Sequence, residues 1–94
     1  MTALKTAGSS QIPVRVFVTD VWDTVALRLT PETTVAGLKA AALAQATGRA
    51  HERGSHVVKY RGGLIANEGQ TLAGLNVPHG AAFIVLPAGR QPVR

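Results

Sequence analysis

His51, Glu52 and His56 are the residues of this chain whose types could hold a metal ion. A helical zinc pair needs its histidines four apart, so that both ring nitrogens leave one face of the helix with the glutamate beside them as base. Here they are five apart and Gly54 interrupts the segment. The spacing predicts no metal site, and nothing else in the chain calls for a cofactor. Ser9, Ser10 and Ser55 offer hydroxyls, but none lies in the strand-to-helix elbow that presents a serine nucleophile. Cysteine is absent, which removes thiol catalysis, thiolate zinc sites and any disulfide framework. Arg61-Gly62-Gly63 occurs once and reads as a hairpin turn, not as an RNA-binding arginine-glycine tract. The expectation is a protein that is not an enzyme.

Length and charge narrow the remaining classes. Ninety-four residues allow one domain, and a domain this small commits most of its apolar side chains to a single core. Residues 1–11 and 88–94 are too polar, basic or Gly/Pro-rich to join that core, so the expected domain spans 12–87 between a disordered N-terminal tail and a basic, flexible C-terminal one. The formal charge of +5 is dispersed. The domain carries seven bases against five acids, and Lys5, Arg90 and Arg94 supply the rest from the tails. Such a distribution predicts weak, salt-sensitive attraction to polyanions and no specific nucleic-acid binding. No stretch approaches the roughly 18 apolar residues of a membrane span, and residues 1–11 lack a signal-peptide core, so a cytoplasmic location without membrane insertion is expected.

The elements follow from periodicity. Val14, Val16 and Val18 alternate with Arg15, Phe17 and Thr19, and Val25, Leu27 and Leu29 alternate with Thr24, Ala26 and Arg28; the two runs predict an antiparallel hairpin with a short loop. Thr34 precedes a helical pattern with Val35, Leu38, Ala42 and Ala46 on one face and Gly48 as its stop. Val57 to Tyr60 reads as a third strand, turned by Arg61-Gly62-Gly63 into a short Leu64-Ile65 strand. Val77-Pro78-His79-Gly80 reads as a turn with proline second and glycine fourth, and Ala82 to Leu86 as the last strand, stopped by Pro87. Two strands, one helix and further strands give an α+β roll, a mixed sheet of four to five strands packed on the helix.

Several segments resemble ubiquitin in order and spacing. Val14-Arg15-Val16-Phe17-Val18 is similar to its first strand and Pro31 to Lys39 to its approach to the helix. Glu68-Gly69-Gln70-Thr71-Leu72 with Leu75-Asn76-Val77 resembles its turn before the last strand. The resemblance covers about four-fifths of the chain and implies a ubiquitin-like β-grasp fold. The ending departs from the family: Pro87-Ala88-Gly89-Arg90 stands where a conjugated ubiquitin has paired glycines. In that respect the chain resembles bacterial ubiquitin-like proteins of the YukD/EsaB type, which implies an accessory role in a type VII secretion-like assembly.

Strand alternation then locates a surface. With Val14, Val16 and Val18 facing the helix, Arg15, Phe17 and Thr19 face away. Phe83 and Val85 face inward with Val58 and Tyr60, leaving Ile84, Leu86 and Lys59 outside. In the fold implied by the resemblance the first and last strands are neighbours. Phe17, Ile84 and Leu86 then form one apolar patch rimmed by Arg15, Arg28 and Lys59, with Lys59 at the position of ubiquitin's central isoleucine. Trp22, in the hairpin loop, either joins that patch as a binding anchor or folds over the sheet edge. Scattered surface apolar residues are ordinary; a contiguous patch with a basic rim implies a protein partner with apolar and acidic groups. The alternative is a modifier precursor of a bacterial conjugation system, cleaved after Gly89, whose partners would be an E1-like enzyme and a peptidase.

Overall fold

The computed structural model describes residues 11–49, 51 and 54–88. Its elements run β1 (Ile12–Val18), β2 (Asp23–Leu29), α1 (Val35–Thr47), β3 (His56–Tyr60), β4 (Gly63–Leu64) and β5 (Ala81–Pro87). One five-stranded sheet has the order β2-β1-β5-β3-β4. The β1·β5 pair at its centre is parallel, and the other pairs are antiparallel.

The valines that alternate in the sequence are what build the inner face. Val14, Val16 and Val18 on β1, Phe83 and Val85 on β5 and Val58 on β3 meet Val35, Leu38, Ala42 and Leu43 of α1 in one buried cluster closed by Leu72 and Val77. Thr34 caps α1, its side chain accepting from the Gly37 N–H at 3.1 Å, and the N–H of Gly48 returns to the Ala44 carbonyl at the other end. Two further backbone bonds, Val35 N–H to Gln70 O and Ala36 N–H to Glu68 O, tie the first helical turn to the 67–70 loop.

Several boundaries differ from the sequence reading; β3 starts at His56 and β5 at Ala81, each one residue early. The β3–β4 turn is made by Arg61 and Gly62, with φ of 55° and 84°, the pair of positive values that a two-residue type I′ hairpin needs. β4 therefore begins at Gly63 and ends at Leu64, not at Ile65, which packs against the core instead. The turn into β5 lies one residue later than its composition suggests. Ala81 N–H bonds Pro78 O, so Gly80 with φ 84° occupies the third position, where a left-handed residue is required. Pro87 does not stop β5 from outside but is its last residue, paired with His56.

Candidate protein-binding face

The sheet face turned away from α1 is an ordered grid. One row across it reads Thr24, Phe17, Ile84, Lys59 and Leu64, each registered beside the next. Two residues along the strands lie Ala26, Arg15 and Ala82, and beyond them Arg28 and Pro13. On the other side of the first row Leu86 sits beside Val57. Phe17 and Ile84 are thus direct neighbours. Leu86 follows Ile84 on the same face and is half-buried.

Trp22 joins this grid from the β1–β2 turn. Its ring meets Phe17 edge-on, with centroids 5.0 Å apart, and the indole remains 75 % exposed. A tryptophan folded over the edge would be covered, so the choice left open by the sequence falls to the exposed arrangement. Its backbone φ of 54° is left-handed, a conformation that costs about 1–3 kcal/mol at a non-glycine residue and recurs at functional sites. Val21 beside it and Leu64 at the far end of the row are exposed as well. Neither was singled out by alternation. Val21 lies in a turn outside the period-2 pattern, and the face of Leu64 depends on where β4 starts.

The charges on this face are of one sign. Arg15, Arg28 and Lys59 are its charged strand residues, and among the described residues none of its strand positions is acidic. Lys59 is not a rim residue as its alternation suggested. It stands inside the apolar row, between Ile84 and Leu64. A hollow of about 570 Å³ is lined by Arg15 and Arg28 together with Pro13, Val14, Ala26, Leu27 and Gly80. Two arginines beside apolar residues suit a carboxylate flanked by apolar side chains.

Two of the acids, Glu68 and Asp20, are engaged elsewhere. Lys39, buried on the helix face, donates to the His56 carbonyl oxygen at 2.8 Å and pairs with Glu68 at 2.6 Å. His56 is itself buried, its Nε2 3.0 Å from both carboxylate oxygens of Asp20 and its Nδ1 2.7 Å from Ser55 Oγ. Ser55, His56 and Asp20 therefore line up as a hydroxyl, an imidazole and a carboxylate, a constellation the sequence reading did not find. Ser55 and His56 line neither the hollow above nor a groove along α1. In this arrangement the hydroxyl and the carboxylate fix the imidazole from both sides. The rings of His51 and His56 come within 5.0 Å, but Nε2 of His51 faces Thr47 Oγ at 2.9 Å, and among the described residues no three potential ligands converge. Glu52 lies outside the described residues, as does Gly89.

The inward period of β3, His56, Val58 and Tyr60, was the signal that could have found His56. Lys39 could have been found one turn after Val35 on the buried helix face. Among the described residues no helix is long and apolar enough to cross a membrane.

No protein-family model matches the sequence, and no curated protein does. Solved structures do match. The structure described as Caldiarchaeum subterraneum ubiquitin superposes with a TM-score of 0.70 at 16% identity, over 87% of this chain and 99% of that one. A second, described as "Molecular Mimicry of SUMO promotes DNA repair", gives 0.68 at 13% identity, over 81% of this chain and 90% of its own. A five-stranded mixed sheet wrapped on one helix, with β1 and β5 parallel at its centre, is a ubiquitin-like β-grasp of the α+β class.

Proposed function

We propose that the chain is a non-enzymatic ubiquitin-like interaction module whose outer sheet face binds a protein segment of apolar side chains flanked by Asp or Glu. The observation that carries this is the row Phe17, Ile84, Lys59, Leu64, extended by the exposed ring of Trp22 and bordered by Arg15 and Arg28 without an acidic residue on its strands. Aromatic anchors supply most of the energy of such contacts, while charge complementarity sets the choice of partner. Lys59 inside the row asks for a carboxylate at the centre of the bound segment, so ubiquitin's own ligands are not assumed for this face. The setting we propose is the cytoplasm of a bacterium, as an accessory subunit of a type VII secretion-like assembly; the YukD/EsaB resemblance supports it.

Trp22→Ala with Ile84→Asp tests the face. Both residues are exposed, so circular dichroism should remain that of the wild type. Recovery of the native partner in a pull-down should fall at least about 30-fold, the equivalent of one lost hot spot. Unchanged recovery sinks the proposal.

The likeness to an archaeal protein described as a ubiquitin favours one second reading, a modifier precursor cleaved after Gly89. Intact-mass spectrometry of protein from its native cell separates the two. An interaction module should keep Arg90 to Arg94, whereas a mass ending at Gly89, free or linked to other proteins, establishes the modifier.

A further inference from the structure

We infer that the buried Asp20–His56–Ser55 chain positions the Trp22 loop and that the proton on His56 sets how firmly it does so. This inference rests on the reading of Trp22 as part of a recognition face. Asp20 lies two residues before Trp22 in the β1–β2 turn, whose backbone bonds are Thr19 N–H to Val85 O at 3.0 Å, Val21 N–H to Val18 O at 3.3 Å and Trp22 N–H to Thr19 O at 3.2 Å. What ties the turn's side chains to the opposite end of β3 is the Asp20 carboxylate, both of whose oxygens lie 3.0 Å from His56 Nε2.

The other end of that tie is held from several sides. The His56 carbonyl oxygen holds Lys39 Nζ, which Glu68 holds in turn, and the residue is registered against Pro87 of β5. Ala88 N–H bonds the Ser55 carbonyl at 2.9 Å. The imidazole is thus anchored through its backbone to α1 and β5, while Asp20 reaches it from the turn.

Its hydrogen bonds are satisfied in either protonation state. A neutral ring donates from Nε2 to Asp20 and accepts at Nδ1 from the Ser55 hydroxyl; a protonated ring donates from both nitrogens, and its contact with Asp20 becomes an ion pair. The carboxylate is already the charged partner of a neutral ring, so what the proton adds is the Coulomb attraction of an ion pair in a partly buried site, and this tightens the hold on the turn. Among the described residues, the titratable and charged groups that bear on His56 are Asp20 from the turn, His51 from the segment after α1, with ring centroids 5.0 Å apart, and Lys39 with Glu68 through the carbonyl. On β5 the residue registered against His56 is Pro87, which does not titrate.

Trp22 is the chain's sole tryptophan, so its emission reports the turn without any partner. Steady-state anisotropy and emission of the full chain should be followed from about pH 5 to pH 8, the interval in which imidazoles change charge. The wild type should lose anisotropy as pH rises. His56→Gln and Asp20→Asn should each abolish the titration, and having two variants guards against one failing to fold. His51→Gln and His79→Gln should retain it. A flat wild-type profile, a titration surviving in both His56→Gln and Asp20→Asn, or one abolished by His79→Gln overturns the inference. Because the readout is in the free protein, these outcomes are independent of whether the face binds the proposed partner.

Discussion

Phe83→Ala should lower the stability of the domain by about 3–5 kcal/mol, the range for truncating a fully buried aromatic. Phe83 is 1 % exposed, lies on β5 between β1 and β3, and stacks on Tyr60 with ring centroids 4.6 Å apart and planes 19° from parallel. Removing the ring leaves a void at the centre of the sheet, where strands paired on both sides cannot close over it. Small domains hold only about 5–15 kcal/mol in total, and each kcal/mol is worth about 4–8 °C at this size. The melting temperature, followed by circular dichroism, should fall by about 15–30 °C. Phe83→Leu keeps most of the volume and should cost less than half as much. A fall under about 5 °C for the alanine variant would show that packing at β5 does not hold the fold together.

The second large effect belongs to the buried ion pair. The Lys39 side chain is 10% exposed and its cation rests on two partners, the Glu68 carboxylate and the His56 carbonyl oxygen. Glu68→Ala leaves that ammonium in the interior with the carbonyl alone. Breaking a buried pair from one side costs about 3–5 kcal/mol, and the 23% exposure of Glu68 admits water that offsets part of it, so a loss of about 2–4 kcal/mol is expected in urea denaturation. Lys39→Met should cost less, because the carboxylate it strands is the more hydrated partner. Replacing both, Lys39→Met with Glu68→Leu, should recover most of the loss, since apolar residues of similar volume often match or exceed a buried ion pair in stability. A Glu68→Ala variant as stable as the wild type would mean that Lys39 finds water without it.

How much of this could be read beforehand depends on the range of the cause. The β1–β2 hairpin and α1 are written in local signals: the alternating valines, the Thr34 cap, the Gly48 stop. The face carrying Phe17 and Ile84 follows from the same alternation once β1 and β5 are neighbours, and that adjacency came from the resemblance to ubiquitin. Turn geometry was less accessible, because whether Gly80 fills the third or fourth position depends on which carbonyl Ala81 reaches. The long-range polar pairs were out of reach. Asp20 and His56 are 36 positions apart, and each alone is an unremarkable polar residue. Lys39 on the buried side of α1 contradicts the helix's apolar pattern, and only the approach of the 67–70 loop makes the position tenable.

The parallel pairing of β1 with β5 has a consequence for how the protein is made. Val14 lies beside Ala81, so the two central strands of the sheet are among the most distant parts of the domain in sequence. Contacts of such long span slow folding, because loop closure precedes the reward. On the ribosome, the hairpin and helix emerge first with their apolar faces uncovered and the inner edge of β1 unpaired. A nascent chain in that condition is what chaperones hold and proteases cut. Any break that removes Ala81–Pro87 keeps it there, since the missing strand is the middle of the sheet and not its margin.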